Sequence, residues 1–138
     1  MHELKIISAY QRGNLAAEYL LIEVLSDTNL HNYILFDSAY SEFNPFHSDS
    51  QKFFWFPYCE VREGDYVYLF STIGENKKSY DNALDYSEHR FFWGRNQAAW
   101  TKGAETAYLF RVNLPPQICN VERESSELDK KKKKMVFS

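Results

Sequence analysis

Residues 89–112, which read HRFFWGRNQAAWTKGAETAYLFRV, decide the fold of this chain. The pattern predicts a short aromatic strand, a turn anchored by tryptophan, and a strand that alternates toward a core. The stretch carries no nucleophile motif, and His89 has no chemical partner close to it in the sequence. We therefore expect this region to build architecture and to act through surface contact rather than catalysis.

Short alternating or aromatic runs of the same kind precede this region. Gly, Asn and Asp residues between them are typical of turns, and no segment has the periodicity of an amphipathic helix. The spacing predicts an all-β fold, an immunoglobulin-like antiparallel β-sandwich of about seven strands. The aromatic run 53–57 ends in Pro57, which favours an edge strand or a strand end. The predicted strands are 4–10, 18–25, 30–36, 53–57, 66–71, 90–94 and 104–112, with polar loops at 39–51 and 74–88.

The composition is that of one globular domain with an unusual content of rings. The chain has 138 residues, enough for a core of its own, and 17% of them are aromatic. We expect a sandwich domain over residues 1–119 and a charged, disordered tail over residues 120–138. The domain holds 10 Lys and Arg against 15 Asp and Glu, so it lacks the positive surface that nucleic-acid binding requires.

The sequence carries no signal for export or membrane insertion. No basic segment followed by a long apolar run opens the chain, and no window is apolar enough for a span. Together with the initial Met1, this predicts a complete small cytoplasmic protein. Cys59 and Cys119 are too few and too far apart for a zinc motif or a disulfide framework, which favours buried free thiols.

Three segments, in order, resemble the lamin-tail domain family. Residues 18–24, EYLLIEV, and 30–35, LHNYIL, are similar to that family's E-Y-V-E-L strand and its L-x-G-W-x-L continuation. Residues 61–69, VREGDYVYL, resemble its L-x-P-G-x-x-V-x-L segment, and residues 100–109, WTKGAETAYL, its W-x-x-x-G-D-x-x-x-L pattern. The resemblance implies an immunoglobulin-like sandwich that serves as a binding or scaffolding module.

The strand pattern also predicts an aromatic surface. Alternation along residues 66–71 and 104–112 turns every second ring away from the core. If these strands lie on one sheet, the outward rings form a contact surface for a partner protein, a second copy or a stacked sugar. The alternative is that a loop or the C-terminal segment covers them. The predicted partner-binding residues are Tyr68, Phe70, Trp93, Arg95, Tyr108 and Phe110, with Arg90 and Arg111 at the rim.

Trp93 and Trp100 flank a glycine-containing turn for which two interpretations stay open. In the first, the turn is an exposed loop, and Arg95 and Asn96 bind a ligand there. In the second, Trp100 closes the end of the sandwich while Gly94 permits the bend. The lamin-tail resemblance favours the second interpretation for Trp100.

A small hydrolase is the alternative from another class of function. It needs Cys59 or Cys119 beside His47 or His89, with a third group that orients the imidazole. The spacing of these residues gives no signal for such a site. We therefore predict a non-catalytic protein without catalytic residues, and keep the hydrolase and a carbohydrate-binding module as alternatives.

Metal binding and tail contacts are also disfavoured by the pattern. The loop acids, His47 with Asp49 and the later set Asp81, Asp85 and Glu88, lack the ligand spacing of zinc or calcium sites. We predict no metal and no cofactor. The lysine run Lys130–Lys134 is typical of a solubilising tail, with contact to anionic lipid or RNA as the alternative.

Overall fold

The fold is built from three β-sheets. A computed structural model describes residues 2–37, 53–100 and 106–112, and the predicted all-β sandwich is confirmed in them. The immunoglobulin-like connectivity stays a prediction. The elements are β1 (Leu4–Tyr10), β2 (Tyr19–Val24), β3 (Thr28–Asn29), a 3-10 turn (Leu30–Asn32), β4 (Tyr33–Phe36), β5 (Phe53–Trp55), β6 (Glu60–Val61), β7 (Tyr66–Phe70), β8 (Lys77–Asp81), β9 (Tyr86–Phe92) and β10 (Tyr108–Arg111).

The largest sheet has five strands in the order β1-β2-β7-β9-β8. A three-stranded sheet has the order β10-β4-β5, and β3 pairs with β6 in a third, two-stranded sheet. The pairing is not purely antiparallel, because β7 and β9 run parallel. This follows from the β8–β9 hairpin, in which β8 takes the outer edge and sends β9 back beside β7.

The core lies between the five-stranded and the three-stranded sheet. Period-two alternation turns Leu20, Ile22 and Val24 of β2 inward, where each is at most 2% exposed. Val67 and Leu69 of β7 face the same core, which leaves Tyr68 and Phe70 on the outer surface. Leu35 of β4 meets them from the opposite sheet.

The segment predicted as a polar loop at 74–88 contains β8 and the start of β9, so this part of the prediction is wrong. The hairpin turn is stabilised by Asp81, whose Oδ1 accepts from the backbone N–H of Ala83 at 2.9 Å and of Leu84 at 3.1 Å. Asp85 has a φ of 53°, which closes the turn. An exposed edge strand such as β8 pairs through its backbone, so its side chains carry little apolar signal.

The predicted strand 30–36 begins with a helical turn instead. Asn29 Oδ1 accepts from the backbone N–H of His31 at 3.0 Å, which caps the turn Leu30–Asn32. The predicted edge position of the Pro57 run is confirmed, since β5 is the outer strand of its sheet. The loop 39–51, with His47 and Asp49, and the tail 120–138, with Lys130–Lys134, lie outside the described residues, as does Cys119.

Candidate functional site

The structure divides the predicted partner-binding residues among three places. Tyr68 and Phe70 lie on β7, on the outer surface of the five-stranded sheet. Tyr108 and Phe110 lie on β10, which pairs with β4 in the other sheet. The condition that all these rings share one sheet is therefore not met. Trp93 and Arg95 follow β9 and belong to neither surface.

The outer surface of the five-stranded sheet carries a cluster of rings, which we call the aromatic face: Tyr10, Tyr19, Tyr68, Phe70 and Phe92. The strand register aligns Tyr10, Tyr19, Phe70 and Phe92 in one row across four strands. Neighbouring ring centres in this row are 5.3, 5.2 and 5.1 Å apart. Tyr68 lies beside the row, 5.4 Å from Tyr19. Such cross-strand pairs stabilise the sheet and together form a continuous apolar strip.

Two of the three neighbouring ring pairs in this row are stacked, whereas the middle pair, Tyr19 and Phe70, is tilted by 47°. The planes of Tyr10 and Tyr19 differ by 25° and those of Phe70 and Phe92 by 14°, so neighbouring ring faces overlap at this spacing. Backbone at Gly74 covers the far end, since a Cβ there would lie 2.4 Å from Phe92 Cδ1. Tyr10, 40% exposed, forms the open end. The stacked pairs therefore cover part of each other's ring faces.

Charged side chains of both signs border the aromatic face. The Tyr68 hydroxyl donates to Glu88 Oε2 at 2.6 Å, and the Arg90 guanidinium lies 5.3 Å from the centre of the same ring. Arg90 also pairs with Glu88 at 3.2 Å. Burial, followed by the hydrogen bond to Glu88, raises the pKa of Tyr68, so this hydroxyl stays a donor. Lys5 and Glu23 are cross-strand partners on the same surface.

Trp93 and Arg95 have packing roles. Trp93 Nε1 donates to the Phe53 carbonyl at 3.0 Å, and its ring packs against Trp100 at 6.3 Å. Arg95 lies over the Trp93 ring at 4.7 Å and pairs with Asp37 at 3.0 Å. Trp100 is 2% exposed and belongs to the core cluster, so its ring is not part of an exposed edge.

Phe110 and Tyr108 sit on the outer surface of the three-stranded sheet. Phe110 meets the ring of Phe36 edge-on at 5.3 Å, and Tyr108 is the cross-strand neighbour of Phe36. Gly94, with a φ of +78°, adopts the left-handed backbone that the predicted bend after β9 requires.

A buried carboxylate holds the Trp100 segment in place. Glu18 is 0% exposed. It accepts from the backbone N–H of Ala99 at 2.6 Å, of Trp100 at 3.3 Å and of Gly13 at 3.0 Å. The Ser71 hydroxyl also donates to it. The Glu18 side chain thus connects the turn before β2 with Ser71, which follows β7, and with the segment that ends at Trp100.

The structure brings Cys59, His89 and Asp65 together in a row. Cys59 Sγ lies 3.5 Å from His89 Nδ1, and His89 Nε2 lies 3.1 Å from Asp65 Oδ2. His89 and Asp65 are 2% and 3% exposed, whereas Cys59 is only partly buried. A carboxylate only accepts, so Nε2 carries the proton and Nδ1 faces the thiol as an acceptor.

The charge state of this row follows from its surroundings. Burial alone raises the pKa of Asp65, but the backbone N–H groups of Arg62 and Ser87, with His89, more than offset this and hold it below its ordinary value. Burial raises the pKa of the Cys59 thiol, and Lys78 opposes this while Asp65 adds to it. At neutral pH, Cys59 is therefore a protonated thiol and Asp65 is a carboxylate, at the two ends of the row.

No metal site forms from the described residues. In that part of the chain, no three His, Cys, Asp or Glu side chains could hold one ion. Cys59 and Asp65 contact opposite edges of the His89 ring, so the two side chains cannot bind the same metal ion. Of the loop acids, Asp85 accepts from the Tyr80 hydroxyl.

A cavity of about 580 Å³ opens between β1 and β10. Its walls include Leu4 and Leu109, and Glu3 lies at its rim. Glu3 Oε1 accepts from the Tyr33 hydroxyl at 2.5 Å and from Arg111 Nε at 2.9 Å. Burial, together with the bond to Glu3, raises the pKa of Tyr33 to about 12.

Comparisons with known proteins found no match. No family model matches the chain, and neither a curated protein nor a solved structure matches it. Within residues 2–37, 53–100 and 106–112, no helix has the length and apolar character needed to cross a membrane.

Sequence reasoning missed several members of these sites. Tyr10, Tyr19 and Phe92 were not among the predicted binding residues, although alternation alone turns Tyr19 away from the core when Leu20 faces it. Asp65 reads as a turn residue after Gly64, and no local signal shows that it contacts His89, 24 residues later. Such a pair emerges only from the parallel pairing of β7 with β9.

Proposed function

We propose that this chain is a binding module that associates with a second copy of itself through the aromatic face. The observation that carries the proposal is the continuous row of Tyr10, Tyr19, Phe70 and Phe92 across four strands. Aromatic clusters of this kind offer large, rigid contact area at low entropic cost. The lamin-tail resemblance supports the same class of function and, like a cytoplasmic location, stays a prediction.

The charges on the same surface favour a second copy over a foreign partner. Lys5 and Arg90 lie on it beside Glu23 and Glu88, so both signs of charge border the apolar row. A surface with both signs is complementary to itself when two copies meet across a two-fold axis, the commonest symmetry of soluble oligomers. The stacked rings make a carbohydrate partner the weaker candidate, since their faces already meet one another.

Light scattering coupled to gel filtration, over a range of concentrations, tests the proposal. We expect a dimer for the unchanged chain. Phe70→Glu places a charge in the centre of the row and should shift the mass to that of a monomer. Leu84→Glu is the matched control, because Leu84 is 70% exposed in the turn at the opposite end of β9 from Phe92.

Two results would overturn the proposal. One is a monomer at every concentration of the unchanged chain. The other is a dimer that persists in Phe70→Glu while its melting temperature shows that the variant is folded. A foreign partner or a purely structural row would then explain the rings.

A further inference from the structure

We propose that Cys59 is a nucleophile that takes an acyl group from a small thioester or activated ester, with His89 as its general base. The site is separate from the aromatic face, since His89 points into the core from β9. Cys59 Sγ lies 3.5 Å from His89 Nδ1, and His89 Nε2 lies 3.1 Å from Asp65 Oδ2. A nucleophile, a base within reach and a third group that orients the base are the parts that acyl transfer requires.

His89 is built into the sheet so that only one of its tautomers fits. Asp65 Oδ1 accepts from the backbone N–H of Ser87 at 2.9 Å, and Asp65 Oδ2 accepts from that of Arg62 at 3.0 Å. The carboxylate is therefore fixed in orientation before it meets Nε2–H of His89. Asp65 acts on the reaction only through the imidazole and is a positioning residue.

Cys59 is the accessible end of the row. It is partly buried, and its chain neighbours Tyr58 and Glu60 are exposed, Tyr58 at 70%. Cys59 packs against the core from this surface segment, and the proposal requires that a small electrophile reach the sulfur from the solvent side. Lys78, the cross-strand neighbour of His89, and Asp65 are the charged groups that act on the thiol.

The reaction balances with these groups alone. Cys59 Sγ forms a bond to the acyl carbon while its proton passes to His89 Nδ1. The bond from the acyl carbon to the leaving oxygen or sulfur then breaks, and the leaving atom takes the proton back from Nδ1. The products are acyl-Cys59 and an alcohol or thiol, with the imidazole returned to its initial state.

The acyl group should remain on Cys59 after one transfer. The Cys59 backbone N–H donates to Asn29 Oδ1 at 3.1 Å, so it stabilises the tetrahedral oxyanion neither in the transfer to Cys59 nor in the later hydrolysis of the thioester. The Cys59 carbonyl accepts from the N–H of Leu30 at 2.9 Å, which fixes this segment. Water is a weaker nucleophile than the Cys59 sulfur, so hydrolysis of acyl-Cys59 should be slower than its formation, and the site is suited to stoichiometric acylation.

The test uses the whole chain with Cys119→Ala, which leaves Cys59 as the one thiol of the two in the sequence. p-Nitrophenyl acetate is the probe near neutral pH, and N-acetylcysteine is the reference thiol. We expect one equivalent of nitrophenol, acetyl on Cys59 by peptide mass spectrometry, a rate above that of N-acetylcysteine, and a slower rate in D2O. Reaction slower than the reference thiol, or acetyl found elsewhere, would overturn the proposal.

Variants then assign the roles. Cys59→Ala should take up no acetyl, and His89→Gln should lower the rate by about 10²-fold or more. Asp65→Asn should let the proton move to Nδ1, so that the reaction needs the thiolate, rises in proportion to hydroxide and loses its solvent isotope effect. A merely structural Asp65 would leave the isotope effect unchanged. If His89→Gln fails to fold, the comparison with N-acetylcysteine and the isotope effect decide the question.

Discussion

Replacement of one carboxylate oxygen of buried Glu18 by an amide should lower the free energy of unfolding more than the same change at a surface glutamate. Glu18 is 0% exposed, and its two oxygens serve Ser71 and three backbone N–H groups, those of Gly13, Ala99 and Trp100. In Glu18→Gln the amide NH₂ must face a donor that the carboxylate oxygen accepted from. A buried donor left without an acceptor costs about 1–3 kcal/mol, so this is the expected loss for the amide.

Glu18→Ala should cost at least twice as much, because it leaves all three backbone N–H groups without their acceptor. Domains of this kind have total stabilities of about 5–15 kcal/mol, so the alanine variant should lose a large part of its stability. Urea denaturation followed by tryptophan fluorescence measures both values, since Trp100 is buried beside the carboxylate.

Glu23→Gln is the matched control for this experiment. Glu23 lies on the same strand, β2, but on the outer surface of the sheet. The same chemical change there should alter the free energy of unfolding by about 0.5 kcal/mol or less. Equal stability of Glu18→Gln and the unchanged chain, or an equal loss in both variants, would refute the assignment of Glu18 as an anchor.

Three further predictions follow from the packing and the electrostatics. Trp93→Ala should lower the free energy of unfolding by about 3–5 kcal/mol, because its ring packs against the core. Tyr68→Ser, on the outer surface of the sheet, should lower it by roughly 1–2 kcal/mol. Urea denaturation of both variants measures the difference. Gly74→Ala should cost about 1–3 kcal/mol, since its Cβ would lie 2.4 Å from Phe92, and adding Phe92→Ala should remove most of that cost in a double-mutant cycle. Burial raises the pKa of Asp65, but the hydrogen-bond donors around it outweigh burial and hold the folded-state pKa below 3.8. The ionised carboxylate therefore stabilises the fold above pH 3.8, and this stabilisation is lost as the pH falls through the folded-state pKa. Asp65→Asn should remove this contribution and flatten the acid side of the curve of unfolding free energy against pH.

The alternation in β2 and β7 was sufficient to predict which side chains face the core. Leu20, Ile22 and Val67 are buried as their spacing indicates, because successive side chains of one strand point to opposite faces. The turn at Gly94 and the edge position of the run that ends in Pro57 were also local properties. They depend on backbone conformations that the residues themselves restrict.

The hairpin at residues 77–92 shows where this reasoning fails. β8 carries polar side chains and is stabilised by backbone pairing with β9 and by the turn at Asp81, neither of which leaves an apolar pattern in the sequence. Tertiary pairing therefore overrides the loop-like composition.

By itself, the sequence determined the all-β class, the strands with strong alternation, and the burial of their inward faces, because each of these depends on neighbours along one strand. Only the tertiary structure decided that β10 pairs with β4, that Tyr10 joins the row with Phe92, and that Cys59 meets His89. These contacts join residues tens of positions apart. The entropic cost of closing such loops grows only slowly with their length, so sequence separation does not distinguish one partner strand from another. A local pattern describes one strand and carries no information about its partner.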